Sequence, residues 1–321
     1  MQRPLHLAAV AAILITPVVQ TAEAFPDRPV RYIVPFPPGG GTDAFARITG
    51  AKLSEIWGQQ VIVDNRSGAQ GNIGAAIGAK SSADGYTLVL AHQGVMTINV
   101  AMYSNPGFDP LRDFIPVARG VATPNVLSCH PSVAAKTAKE LVQLATKAPG
   151  KITYASTGAH QQLTGEVFKS TTATNMLHIP YKGAGTAIVD LVGGNVNCMF
   201  SNPTSVVPHI RGNRLRGLGV IGPKRLEALP DVPNAAEFGY PQLADYVEWY
   251  GVAVPAGTPQ STVARIESAV LKAMAAPEVL QRLNEIGQQP APTGAAEFAA
   301  QVKRDHVIWG KLVRAAGIKV D

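Results

Sequence analysis

The chain has 321 residues, 46% of them hydrophobic and 16% charged, with a formal net charge of +6. This composition excludes disorder and suits a packed core, in a length sufficient for two lobes of ordinary domain size. The basic residues are scattered, with Arg211, Arg214 and Arg216 the one dense group, so nucleic acid is not an expected partner and the charge balance implies only a mild attraction for anionic solutes.

Residues 1–24 read as a secretory signal. Arg3 supplies the positive start, residues 5–15 are apolar apart from His6, and Ala22-Glu23-Ala24 forms an A-x-A cleavage site that leaves Phe25 as the mature start. The apolar run is short for a membrane span, and no cysteine follows it to carry a lipid. The expected product is a soluble protein in an oxidising compartment. That setting permits a disulfide between Cys129 and Cys198. Each lies in a short apolar run, and two buried free thiols are expected instead, because a core of this size needs no staple.

From Phe25 onward short apolar runs alternate with helix-like segments. Residues 30–33 predict a strand, 43–57 a helix with Thr42 as N-cap and Gly58 as stop, and 61–63 a second strand. A turn over 65–72, a helix over 73–80, the Asp84-Gly85 turn and a strand over 86–91 follow. A second series predicts strands at 126–129, 152–155, 176–179, 197–200 and 218–221, with helices at 138–148, 161–169 and 186–192. A helical tail covers 261–275, 277–286 and 295–316. Alternating strands and helices imply an α/β fold in which each lobe is a mostly parallel sheet flanked by helices. Residues 25–122 with 222–321 are expected to form the first lobe and 123–221 the second. A ligand cleft would lie between them, at the carboxyl ends of the strands.

The most informative stretch is Ile33-Val34-Pro35-Phe36-Pro37-Pro38-Gly39-Gly40-Gly41-Thr42-Asp43. A strand that passes through bare glycines into a helix start presents free backbone N–H groups and a positive dipole end, which together suit an anion. No Gly-Lys-Ser/Thr follows, so it is not a phosphate P-loop, and it lacks the G-x-G-x-x-G spacing. Ser156-Thr157-Gly158-Ala159-His160-Gln161 is a second strand-to-helix turn, with ordinary N-capping as its alternative role. Tyr181-Lys182-Gly183-Ala184-Gly185 also follows a strand and opens a helix, and a lone Lys182 there reads as solvated. His92, with Gln93 beside it, and His160 both fall just after strands and are candidates for donors to a carboxylate. There is no H-E-x-x-H, no cysteine pair at zinc spacing and no G-x-S-x-G, so no metal, cofactor or catalytic residue is expected.

Several motifs in order carry a family resemblance. They are the glycine stretch through Asp43, Asp64-Asn65-Arg66-Ser67-Gly68-Ala69-Gln70-Gly71, Asp84-Gly85-Tyr86-Thr87-Leu88 and Phe108-Asp109-Pro110-Leu111-Arg112-Asp113-Phe114. After these come His178-Ile179-Pro180-Tyr181-Lys182-Gly183, Leu229-Pro230-Asp231-Val232-Pro233 and Pro255-Ala256-Gly257-Thr258-Pro259. The chain resembles the Bug, or TctC-like, extracytoplasmic receptors of tripartite tricarboxylate transporters over nearly all of its mature length. The resemblance implies a two-lobed, type II-like periplasmic binding protein. It would be non-enzymatic and monomeric, capture a small organic or aromatic carboxylate, and deliver it to membrane permease subunits. It further implies that Phe36, Gly39, Gly40, Gly41, Thr42 and Asp43 of the first lobe and Ser156, Thr157 and Gly158 of the second hold the acid, and that Asp190 matches a family position. The second turn departs from the family pattern, with Gln162 where a His is usual and His160 in place of a small polar residue. His160 could then serve a different far end of the ligand, such as that of an aromatic dicarboxylate. The rival readings are a sensor feeding a signalling partner and a secreted hydrolase. The latter would need a nucleophile and base within hydrogen-bond reach.

Overall fold

The computed structural model describes residues 25–319, so the expected signal segment lies outside the described residues. Strand β1 (Val30–Val34) is rich in β-branched and aromatic residues and almost wholly buried. It pairs in parallel with β2 (Val61–Asn65) and β3 (Thr87–His92). Parallel neighbours need a crossover, and helices α1 (Gly41–Trp57) and α2 (Asn72–Ala79) supply it. Helix α1 ends at Gly58, whose φ of 64° is left-handed and free of strain only for glycine. It begins earlier than expected: Gly40 is the N-cap and Thr42 lies inside the first turn. Past β3 a π turn (Gly94–Ile98) runs into the short α3 (Asn99–Met102).

The chain then enters β4 (Phe114–Cys129), a strand far longer than the expected 126–129. In the second half follow α4 (Ala138–Lys147), β5 (Thr153–Ser156), α5 (Ala159–Thr172), β6 (Leu177–Pro180), α6 (Ala184–Val192), β7 (Cys198–Ser201), α7 (Pro203–Arg211) and β8 (Arg216–Ile221). The return to the first half runs through β9 (Val247–Pro255), which the expected elements did not include. Helices α8 (Gln260–Met274) and α9 (Pro277–Glu285), strand β10 (Pro290–Thr293) and helix α10 (Ala295–Ala315) complete the fold.

Strand order is β2-β1-β3-β9-β4-β7-β5-β6, with β8 and β10 also beside β4. Strands β5, β6 and β7 are parallel, as β1, β2 and β3 are. Antiparallel β4 and β9 join the halves. Residues 114–124 of β4 pair with β9, and 125–129 pair with β7 and β8, so a single strand serves both sheets.

Each half has its own core. Val30, Tyr32, Phe45, Leu88, Ile266 and Val270 pack together in the first. Tyr154, Phe168, Phe200, Phe238 and Leu243 do so in the second, so residues 235–243 pack with the second half although the expected boundary fell at 222. Each such buried side chain contributes about 1.5–3 kcal/mol of transfer free energy.

Cys129 and Cys198 form a disulfide, which corrects the free-thiol expectation. They sit directly opposite one another on neighbouring strands β4 and β7. That cross-strand pairing, invisible in the sequence, brings the sulfurs together whether or not the core needs a staple.

Candidate functional site

A narrow cavity lies where the halves meet, with about 40 Å³ open to the centre of a water-sized molecule. Its wall is built from helix starts. Gly40, Gly41 and Thr42 bring in the start of α1, Thr157 and Gln161 that of α5, Gly183 and Ala184 that of α6, and Asn202 and Ser205 that of α7. Helices α1, α5 and α6 share one feature, found also in α2 and α10 away from the cavity: each has a glycine N-cap (Gly40, Gly158 and Gly183) with no side-chain cap hydrogen bond. First-turn N–H groups have no partner within their own helix. Three such ends, each worth roughly half a positive charge, therefore converge on one small space. Helix α7 differs, since Asn202 Oδ1 accepts from the Thr204 N–H at 3.1 Å.

The glycines are needed for approach rather than for dihedral freedom. A Cβ on Gly183 would stand 3.0 Å from Pro37 Cγ of the other half, and one on Gly41 would stand 2.6 Å from Asn202 Cγ. The halves are therefore closed on each other at the rim.

The floor is aromatic and polar. His92 on β3 and Tyr250 on β9 are paired in the sheet. Their rings stack at 5.2 Å, with Phe36 tilted over His92 at 4.6 Å. Behind them lies Glu248, 1% exposed. His92 Nε2 lies 2.9 Å from Glu248 Oε1, the Tyr250 hydroxyl donates to Oε2 at 2.7 Å, and Gln161 Nε2 lies 3.3 Å from both oxygens. Asn202 Nδ2 donates in turn to the Tyr250 oxygen at 2.9 Å. Burial alone would push the Glu248 carboxyl up. The His92 ring and the His92 and Tyr250 hydrogen bonds counter it, and the carboxyl is held below its ordinary value. Glu248 is thus a buried carboxylate at a site whose wall includes no lysine or arginine.

Phe36, Gly40, Gly41, Thr42, His92 and Thr157 line the cavity among the residues singled out from sequence. Gly39, Asp43, Gln93, Ser156, Gly158, His160 and Asp190 do not. Asp43 accepts from the Gly39 N–H at 3.0 Å, from Arg47 Nε and from Asn65 Nδ2. It fixes the glycine loop to α1 and β2. Burial opposes its ionisation, yet those donors hold its carboxyl below the usual range. Gly158 caps α5 beside Phe36. Gln93 is buried, its amide donating to the Val247 carbonyl and to His160 Nε2 and accepting from Trp309 Nε1. His160 is fully buried, with Nδ1 3.0 Å from the Asn125 amide and 3.7 Å from a Glu248 oxygen. Burial pulls its imidazole down to about 4 against the pull of Glu248, so it is neutral at ordinary pH and lies behind the cavity wall. Asp190 accepts from the Tyr181 hydroxyl at 2.7 Å and from Asn195 Nδ2 on the second half.

Sequence reasoning missed Asn202, Ser205, Tyr250 and Glu248, and gave no separate role to Pro37 and Gln161 within the two turns it singled out. One signal was present: a glutamate in the otherwise apolar run Val247-Glu248-Trp249-Tyr250 marks a buried charge that must be paired.

Ser156 Oγ and His178 Nε2 lie 2.7 Å apart, the geometry a hydrolase nucleophile and base would have. Ser156 is 3% exposed, and His178 lies against the Tyr154 ring, whose side chain belongs to the core between β5 and α5. The pair therefore faces into the second half and does not line the cavity. Among the described residues no cluster of His, Cys, Asp or Glu could hold a metal ion, and no helix is long and apolar enough to cross a membrane.

Residues 45–318 match the family described as the tripartite tricarboxylate transporter family receptor. The chain belongs to this receptor family. The receptor is 33% identical to BugT of Bordetella pertussis, over 94% of this chain and 93% of that protein. It superposes on an R. palustris protein solved with adipate with a TM-score of 0.88, at 33% identity and covering 92% and 99% of the two chains. MatC of Rhodopseudomonas palustris, solved with bound malate, matches with a TM-score of 0.82, at 28% identity and covering 90% and 100%. The two-lobed fold of the periplasmic binding proteins and the Bug/TctC kinship read from the sequence both stand.

Proposed function

We propose that the protein is a non-enzymatic periplasmic receptor, exported by the segment 1–24, that closes on a small carboxylate. As a monomer it would pass this ligand to the membrane subunits of a tripartite transporter. The observation that carries the reading is the convergence of the uncapped starts of α1, α5 and α6 on one cavity. Backbone N–H groups with the positive ends of three helices suit a carboxylate, and the Thr42, Thr157 and Ser205 hydroxyls supply further donors there. The helices come from both halves, so an acid held by all three favours the closed arrangement by contacts that the open one lacks. Strands β4 and β9 are the two connections about which the halves would turn. Similar proteins solved with adipate and malate support a carboxylate ligand.

Calorimetric titration of the mature protein with short aliphatic and aromatic acids, each beside its primary amide, tests this. At least one acid is expected to bind at micromolar concentration or better and its amide not to bind. Equal binding of acids and amides, or no binding of any acid, overturns the reading.

A further inference from the structure

The two sides of the cavity have opposite hydrogen-bonding character. The helix starts offer N–H groups. On the floor all but one of the donors are already committed to Glu248 or to one another. His92 turns Nε2 to Glu248, and since a carboxylate can only accept, that nitrogen carries the proton. Tyr250 gives its hydroxyl proton to the same carboxylate. Gln161, which lines the cavity, turns its amide nitrogen there too, which leaves its carbonyl oxygen facing away, on the side of the α5 N-cap Gly158. Asn202 uses one Nδ2 hydrogen on Tyr250 and its Oδ1 on the Thr204 N–H, which leaves its second N–H. What the floor has left for a ligand is mainly acceptors, the Gln161 carbonyl and the remaining lone pair of the Tyr250 oxygen, beside one N–H of Asn202.

We propose that the ligand is a monocarboxylate whose far end donates hydrogen bonds, through a hydroxyl, amide or ammonium group, and not a dicarboxylate. This rests on the carboxylate-receptor reading and specifies its substrate class. A second carboxylate on the floor would find a single spare N–H, that of Asn202, against two acceptors with no proton to share. It would also face the Glu248 charge through the shell of His92, Tyr250 and Gln161, with no lysine or arginine in the wall to offset it. A donor meets the same groups as partners, and an ammonium group gains further from Glu248 behind them. His160 is held behind the wall by Asn125 and Gln93, so it does not supply a donor for a second acid group.

The test is a titration series on the mature wild-type protein at matched chain length. Pentanoate, 5-hydroxypentanoate, 5-aminopentanoate and glutarate would be compared, then the homologous sets from three to six carbons. At the best length a donor-bearing acid is expected to bind about tenfold or more tighter than both the plain acid and the dicarboxylate, the equivalent of one good hydrogen bond. A dicarboxylate that binds as tightly as the donor-bearing acid overturns the proposal. Failure of every acid to bind would instead sink the receptor reading beneath it. Gln161→Met removes the acceptor while keeping the side-chain length. It is expected to erase the donor preference, so that the plain and donor-bearing acids bind the folded variant alike. A preference that survives in the folded variant counts against the proposal, and the wild-type series decides the matter if that variant does not fold.

Discussion

Gly41→Ala isolates closure from folding. Gly41 opens α1 in the first half, and Asn202 caps α7 in the second. A methyl group at position 41 would stand 2.6 Å from Asn202 Cγ, too close for any real contact, so the Asn202 side chain must leave. It then forfeits the cap on Thr204, worth about 1 kcal/mol, and the bond to the Tyr250 hydroxyl, worth about another 1 kcal/mol. Residual overlap adds about 1–2 kcal/mol. The sum, about 3–4 kcal/mol, falls on the closed state, because the open state separates the two residues. Alanine is otherwise favourable in a helix, and Gly41 does not have a positive φ. The expected result is an affinity for the best acid weakened by roughly 100- to 1,000-fold, with the melting temperature of the unliganded protein unchanged within about 3 °C. Calorimetry and a thermal melt read the two quantities separately. An affinity within about threefold of wild type would refute both the closed geometry and the role of the glycine in it.

Two further outcomes concern stability. His160 is neutral in the fold, its imidazole pulled down to about 4. The unfolded chain takes up that proton below its ordinary value of 6.5, so acidification from 6.5 toward 4 should lower stability by up to about 3 kcal/mol; burial shifts His178 in the same direction. Urea melts that give one flat stability across that window would contradict this. The Cys129–Cys198 bond closes a separation of 69 residues, and Cys129→Ala with Cys198→Ala should cost about 2–4 kcal/mol. A denaturation midpoint equal to that of the oxidised protein would show that the bridge contributes nothing.

The βα order of both halves was legible because apolar runs and glycine or asparagine turns are local signals. The anion grip was half legible for the same reason. Proline-stiffened glycines before Thr42 announce a bare strand-to-helix turn, although Thr42 was expected to cap it, and Gly183-Ala184-Gly185 marks a second such turn. Neither states that the two meet. The floor was not legible. Tyr250 and Glu248 lie on β9, which is buried on both faces and so lacks the period-2 alternation that marks a half-exposed strand. Position after a strand was a poor guide as well. His92 reaches the cavity, while His160, in the first turn of α5, points at Asn125 and the inner core. Which way a side chain turns is decided by partners distant in the sequence, and Glu248 is the partner that organises this set.

Strand β4 carries a consequence beyond ligand binding. At the strand's crossing point Pro124 lies opposite Val247 in the register, so the chain leaves the first half and re-enters it at neighbouring positions. Residues 125–246 are therefore a loop excursion grown into a cassette, with its two ends held side by side by a strand ladder. Such a cassette can be exchanged between relatives without re-spacing the host. In a chimera the α1 start, the glycine loop and the Glu248 floor would stay with the recipient, while α5, α6, α7 and Gln161 would travel with the donor.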